Sequence, residues 1–413
     1  MRKKIRELIR KGVLIPHPET VTIGEDVSVD RISGNGTEIH AGCKIFGQKT
    51  LILDHVKVGY ESPVTIEDCQ IGPEVHLKGG FFSQSVFLQK AVLGSGSHIR
   101  NGTILEEQAS VAHTVGLKQT ILFPFVTLGS LINFCDCFMA GGTSRKNHSE
   151  VGSSFIHFNY TPDQDKATPS MMGDVPHGVM LNNSPIFLGG QGGIVGPVRL
   201  AFGTITAAGT IYRKDELRND RLLLTGFPKD INIPFSRGRI RNIKRVVRNN
   251  LIYIANLVAL KHWYGKIRME FLSEIFPLAL LEGLQDKLDM NIHERVYRLK
   301  ELIHIALQGN SDDTKCNELF QNWSRIDSVI QNHQEHLAED QVVLPAFLES
   351  IRKGIKEWGR DDYIQVIQKL NPDEAEIGSK WLRQIINQLL AEVFDHIPSF
   401  GFSEEIMEQG TNG

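Results

Sequence analysis

The polar and ionisable residues of this 413-residue chain are densest between Gly141 and Lys166. Gly141-Gly-Thr-Ser-Arg145-Lys146-Asn147-His148-Ser-Glu150 is followed by His157-Phe-Asn159-Tyr160-Thr-Pro-Asp163-Gln-Asp165-Lys166. The two glycines permit a tight backbone path, and His148 lies among cations and a carboxylate. An imidazole that titrates near neutral pH can take a proton from an amine or hydroxyl as it attacks an activated acyl group. Asn159 can orient a carbonyl or a sugar hydroxyl, and Lys146 and Lys166 can hold a phosphate. A surface loop with ordinary polar residues accounts for the same spacing.

Other chemistries find less support. Histidines at 40, 55, 76, 98, 113, 148, 157 and 177 are scattered, and no close pair has ligand spacing, so no metal site is expected. Leu188-Gly-Gly-Gln-Gly-Gly193 is glycine-rich, but no Lys-Ser/Thr follows it, which excludes a nucleotide P-loop. Its small residues would let a cofactor lie close to the backbone, although a tight corner explains them equally well. Arg237, Arg239, Arg241, Lys244, Arg245 and Arg248 form a basic run. Contact with nucleic acid is one reading of it; a solvated helix face or an acidic patch on a neighbouring domain is favoured.

The elements that must position these residues show a period of six. Leu93-Gly-Ser-Gly-Ser97-His, Ile99-Arg-Asn-Gly-Thr103-Ile, Leu105-Glu-Glu-Gln-Ala109-Ser and Val111 carry an aliphatic residue every sixth place and a small one four places on. A helix would repeat at three and four, and a hairpin strand would alternate strictly. The period predicts a parallel β-helix whose rungs bury their aliphatic residues only by stacking on neighbours. Sixes begin at Val21, slip between Ile66 and Ile71, and return at Leu188, Ile194, Leu200, Thr206 and Tyr212. The β-helix is therefore expected over 21–215, after an N-terminal helix and lead-in over 1–20. A less regular insertion is expected at 114–185. Loops on a rigid scaffold are where binding and catalysis tend to sit.

Beyond the array, 216–236 holds Gly226, Pro228 and Pro234 and reads as a linker, and 237–413 reads as an α-helical domain. Helical patterns cover 240–258, 267–290, 292–308, 315–335, 343–358, 361–370 and 379–396, with stops at Gly309-Asn310 and Asn371-Pro372. The composition shifts with them, since all four tryptophans lie beyond residue 210. A net charge of -3 points to no polyanionic partner. The five cysteines are too few and too scattered for a disulfide framework. Cys43 and Cys69 take small-residue places in their rungs, and Cys135-Asp-Cys137 should place one thiol inward and one outward. Met1–Arg10 has no secretory character and no stretch reaches membrane-spanning length, so a reducing, cytoplasmic setting is expected.

Several of these residues also resemble one family in order and type. They are Gly12-Val-Leu-Ile-Pro-His-Pro18, Pro124-Phe125, Asn133-Phe134, His148, Asn159-Tyr160, Lys166, Met172-Gly-Asp174, Val195-Gly-Pro-Val198 and Thr206-Ala-Ala-Gly-Thr210. The family is the left-handed β-helix acetyltransferase domain of the bifunctional N-acetylglucosamine-1-phosphate uridylyltransferase/glucosamine-1-phosphate acetyltransferase. The resemblance spans residues 12 to 215 and finds no counterpart of the uridylyltransferase domain. It implies a left-handed coil, a homotrimer with clefts between subunits, acetyl-CoA as donor and a sugar phosphate or nucleotide sugar as acceptor. His148 takes the place of the family's general base. Asn159 and Lys166 map to its asparagine and lysine, and Tyr160 follows the asparagine in both. Gly192, Gly193, Ala207 and Ala208 are the candidates for holding acetyl-CoA. The family's phosphate-gripping arginine and lysines are replaced, by Val126-Thr-Leu-Gly-Ser130 after Pro124-Phe125 and by Phe138 and Met139 after Asn133-Phe134. Arg145 and Lys146 are the cations placed to compensate.

Two functional expectations follow. One is CoA-dependent acyl transfer to an amino or hydroxyl group of a phospho- or nucleotide-sugar, without a metal. The other is a non-catalytic trimeric scaffold that binds partners through its helical domain.

Overall fold

A computed structural model describes residues 2–224, 240, 242–309, 313–335 and 343–401. Residues 225–236 of the expected linker, and Arg237, Arg239 and Arg241 of the basic run, lie outside the described residues. The first half is a left-handed parallel β-helix of about 11 turns, and a helical region follows it. The period of six thus forms the coil it predicts.

After helix α1 (Arg2–Lys11), the chain winds round three walls. The third wall is a 10-stranded parallel sheet running from Glu38–Ile39 to Leu222–Leu223. The first and second walls join into one 16-stranded sheet, because Val115–Leu122 and Ile132–Met139 each continue round the corner between them. Ile39, Val58, Leu77, Leu93, Val111, Leu128, Val151 and Leu188 stack in register inside the third wall, each buried. Ser97, Thr103 and Ala109 are buried at corners, and the Ser97 and Thr103 hydroxyls donate to Gly94 O and Arg100 O at 2.7 and 2.8 Å. Small side chains are needed there because the wall bends inward and a corner hydroxyl can satisfy the turn's own carbonyl.

The stretch 114–185 carries rungs where an irregular insertion was expected. Val115–Leu122, Thr127–Leu128, Ile132–Met139, Glu150–Val151, Ile156–Phe158 and Ser170–Met172 all pair in the ladder. Only three segments leave the wall. One spans 140–149, between the second and third walls; one spans 159–169, between the first and second; and one spans 173–186. The last contains α2 (Val175–Gly178).

The helical region comprises α3 (Ile243–Lys266), α4 (Leu278–Gly309), α5 (Thr314–Gln321), α6 (Trp323–Glu335), α7 (Val343–Trp358), α8 (Tyr363–Gln368) and α9 (Pro372–Asp395). Two expected helices at 267–308 are largely one long α4, and 315–335 divides at Asn322. Asn371-Pro372, expected only as a stop, also starts α9. Proline suits the first helical turn, and Asn371 forms a capping box with Glu374.

The second wall explains where the helices go. Its outward file, Val86, Ile104, Ile121, Phe138 and Met171, is apolar and buried, whereas the third wall shows Glu38, Lys57, His76 and Ser110 at the same place. α3 and α4 cover that file. Along α4, Gly283 abuts the Gln70 side chain, Asn291 donates to Gly102 O at 2.7 Å and Arg295 pairs with Asp136 at 2.8 Å. Gly283 to Arg295 rises about 18 Å. Four coils at the inter-strand spacing rise about 19 Å. One helix therefore keeps step with four successive corners.

This cover also alters the cysteine pair. Cys137 and Cys135 are both buried, so the outward thiol expected of the pair does not reach solvent. Burial pushes the Cys135 thiol up to about 11 and holds that of Cys137 well above its ordinary value, leaving both as inert thiols. Cys43 and Cys69 are buried, as their places in the rungs predict, and all five cysteines are free.

Candidate functional site

His148 stands on a two-stranded hairpin, Gly142–Ser144 against Asn147–His148, at the corner between the second and third walls. Gly142 is needed there: its φ is +96°, and a Cβ would lie 2.6 Å from His148 Cα. The imidazole Nδ1 is 2.9 Å from Arg145 O, so Nδ1 carries the hydrogen and Nε2 is left as the acceptor. Nε2 lies 3.8 Å from a Glu150 carboxylate oxygen, and the side chain is 19% exposed. This tautomer and partial burial suit a proton acceptor.

Arg145 does not point to open solvent. Its guanidinium lies across the third wall, donating to Gln108 O and Phe125 O at 3.0 Å, to Thr127 Oγ1 at 2.9 Å and to Ser110 Oγ at 3.2 Å. All four partners are neutral, so the cation is oriented but its charge is uncompensated by them. Partial desolvation holds its pKa below the ordinary value. Lys146 is exposed at the hairpin tip.

Asn159, Tyr160 and Lys166 belong to a different corner, between the first and second walls. Asn159 is half-buried and its amide donates to the Asp136 carboxylate. Tyr160 is 57% exposed. Lys166 is half-buried, and its carbonyl accepts from Arg295 at 3.2 Å. His157, in the same cluster by sequence, faces the core. Its Nε2 meets Ser170 Oγ at 2.8 Å, and burial depresses its pKa to about 4, so it is a neutral core group. One chain therefore does not bring His148 together with Asn159 and Lys166; the width of the second wall and its helices separates them.

Gly192 and Gly193 are buried at a corner, where Cβ atoms would lie 2.6 Å from Gly189 O and 2.7 Å from Phe158 Cε2. Ala207 is half-buried and Ala208 exposed beside Gly209, whose missing Cβ would meet nothing within 4 Å. The outer corner at 207–209 is thus smooth and accessible, which fits an extended ligand arm, whereas Gly192 and Gly193 serve close packing of coils. Among the described residues no group of three or more His, Cys, Asp or Glu could hold a metal, and no helix is long and apolar enough to cross a membrane. In the basic run, Arg245 donates to Pro197 O at 2.7 Å and Arg248 to Gly401 O, so both guanidinium groups are engaged within the chain.

Sequence reasoning missed the ionisable groups that join the two halves. Arg268 pairs with Glu107 at 2.5 Å, with its guanidinium 3.8 Å from the Tyr363 ring centroid and 4.3 Å from that of Phe276. Tyr264 donates to Glu106. A cavity of about 450 Å³ opens beside Glu107, Arg268 and Tyr363. His177 Nδ1 is 2.7 Å from Asp174, and Arg383 donates to its Nε2 at 3.1 Å. The sequence signal was Glu106-Glu107, two adjacent carboxylates in the rung Leu105-Glu-Glu-Gln-Ala109-Ser110.

No protein-family profile matches the chain. It is 27% identical over 214 residues to the bifunctional protein GlmU of Thermotoga petrophila, covering 52% of this chain and 42% of that protein. The bifunctional protein GlmU of Pelobacter propionicus is 28% identical over 217 residues, covering 52% and 42%. That of Fervidobacterium nodosum is 29% identical over 224 residues, covering 53% and 43%. The chain thus spans less than half the length of these curated relatives. The likeness to the bifunctional family is borne out over about half of the chain.

Proposed function

We propose that this chain transfers an acetyl or other acyl group from CoA to an amine or hydroxyl of a phospho- or nucleotide-sugar, at a site completed between subunits of a homotrimer. The observation that carries this reading is the placement of the candidate residues at opposite ends of the uncovered walls. Helices occupy the second wall, so the first and third walls are left to face neighbours. Their last coils carry exposed apolar files: Ile156, Phe158 and Ile211 on the first wall, and Phe187, Ile205 and Leu222 on the third. Such patches on rigid strands mark interaction surfaces.

If the third wall of one protomer lies along the first wall of the next, with the corner they share turned to a threefold axis, the outer ends meet. His148 of one subunit then faces Asn159 and Lys166 of its neighbour at nearly the same height. His148 Nε2 takes the proton as the acceptor nitrogen or oxygen attacks the thioester carbonyl, and gives it to the departing CoA thiolate as the carbon–sulfur bond breaks. Asn159 orients the acceptor. Lys166, with Lys146 and Arg145 from the facing hairpin, holds its anionic group, and Tyr160 borders the cleft. The smooth corner at 207–209 takes the arm of acetyl-CoA.

Purified protein given acetyl-CoA and a panel of amino-sugar phosphates is expected to release free CoA. His148→Ala should lower turnover about a hundred-fold or more, the scale of general-base catalysis. Chains carrying His148→Ala and chains carrying Asn159→Ala, each inactive alone, should recover activity when co-assembled. No turnover with any acceptor, or no recovery on mixing, contradicts the reading.

A further inference from the structure

The segment proposed to bind the acceptor, 159–169, is shaped by the helical region. The Arg295 guanidinium, on α4 and 1% exposed, donates to Asp136 Oδ1 at 2.8 Å and to Lys166 O at 3.2 Å. The other Asp136 oxygen accepts from the Asn159 amide. Asn250 on α3 donates to Ala167 O at 2.9 Å. Both ends of the segment are thus tied to one guanidinium: Lys166 directly, and Asn159 through a single carboxylate.

We infer that Arg295 is a positioning residue for the acceptor site, and that the helical region is a working part of that site. The inference rests on the acyl-transfer reading above. Two physical effects support it. First, a carboxylate only accepts hydrogen bonds, so Asp136 fixes the Asn159 amide with Nδ2 inward. Its Oδ1 is then left to accept from a hydroxyl or amine of the ligand. Second, Asp136 is a buried carboxylate whose partners are Arg295 and Asn159. Arg295 supplies its counter-charge, and a buried carboxylate left unpaired is costly. The substrate class this favours carries a hydrogen-bond donor next to an anionic group.

The test uses the full chain as Arg295→Met and Arg295→Lys, the second retaining the positive charge without the two-pronged geometry. Hydrogen exchange of peptides covering 159–168 should speed up about ten-fold or more in Arg295→Met, the size expected for losing charge-assisted hydrogen bonds. Peptides covering 97–111 should not change. In initial rates, KM for the sugar phosphate should rise about ten-fold while kcat and KM for acetyl-CoA hold, with Arg295→Lys intermediate. Unchanged exchange in 159–168, or a joint shift of both KM values, overturns the inference. If Arg295→Met does not fold, Arg295→Lys decides by the same two measurements. If the wild type releases no CoA, the acyl-transfer reading fails and the exchange result still decides whether Arg295 holds the segment.

Discussion

At the scale of single residues, Glu106 and Glu107 stand at one corner with a single arginine between them. Burial, reinforced by the Glu107 charge, pushes the Glu106 carboxyl up to about 8 from an ordinary 4.5. A carboxyl whose folded pKa is raised binds its proton more tightly when folded. Its favourable contribution is complete below pH 4.5 and is lost as pH rises through about 8. Glu106→Gln, which cannot ionise, should therefore gain on the wild type between pH 5 and pH 8, as read from urea midpoints at both values. A constant difference across that range would show that Glu106 does not titrate there. The candidate residues His148, Asn159 and Lys166 were named from type and order alone. Their partners were not, because Arg145's neutral acceptors and Asp136's arginine come from rungs and helices distant in sequence.

At the scale of elements, a repeat of six shows which residues enter the coil, since one aliphatic place per rung must be filled. It does not by itself show which outward face is covered. Part of that was nonetheless written in the chain: ahead of the inward residues stand Val86, Ile104, Ile121 and Phe138 on the second wall, against Lys57, His76 and Ser110 on the middle rungs of the third, although Val92 interrupts that file and Phe187, Ile205 and Leu222 depart from it further on. Ile121→Ala should cost about 2–4 kcal/mol, the price of a cavity in a packed interior. Lys57→Ala, a surface change, should stay within about 0.5 kcal/mol. Gly283 is a tight contact of α4 with the coil, where a Cβ would lie 2.7 Å from Gln70 Oε1. Gly283→Val should destabilise by about 1–3 kcal/mol through overpacking. Chemical denaturation checks all three, and equal losses at Ile121 and Lys57 would remove the case for covered and bare walls. The helix boundaries missed in the sequence have a similar origin. α4 runs unbroken through 290–292 because the solenoid supports it along its length, which no local pattern announces.

At the scale of the whole molecule, the exposed apolar files are the surfaces proposed to join protomers. Phe187→Asp together with Ile205→Asp places two carboxylates on the third wall without touching the core. Light scattering should report a trimer for the wild type and a monomer for this variant, with acyl transfer lost in step. A wild type that runs as a monomer would leave His148 and Asn159 on separate faces and end the shared-cleft mechanism. The rival reading, a non-catalytic trimeric scaffold that recruits partners through its helices, predicts no acyl transfer even by the wild type.

Because α4 keeps pace with the coil from Gln70 to Asp136, the rungs beneath it are braced and cannot let go one at a time. Pulled from its ends, the molecule should peel its first coils, before Gln70, in small steps, and then give way across the braced stretch in one large rupture. Optical-tweezer traces with evenly spaced small steps throughout would mean that the brace carries no tension.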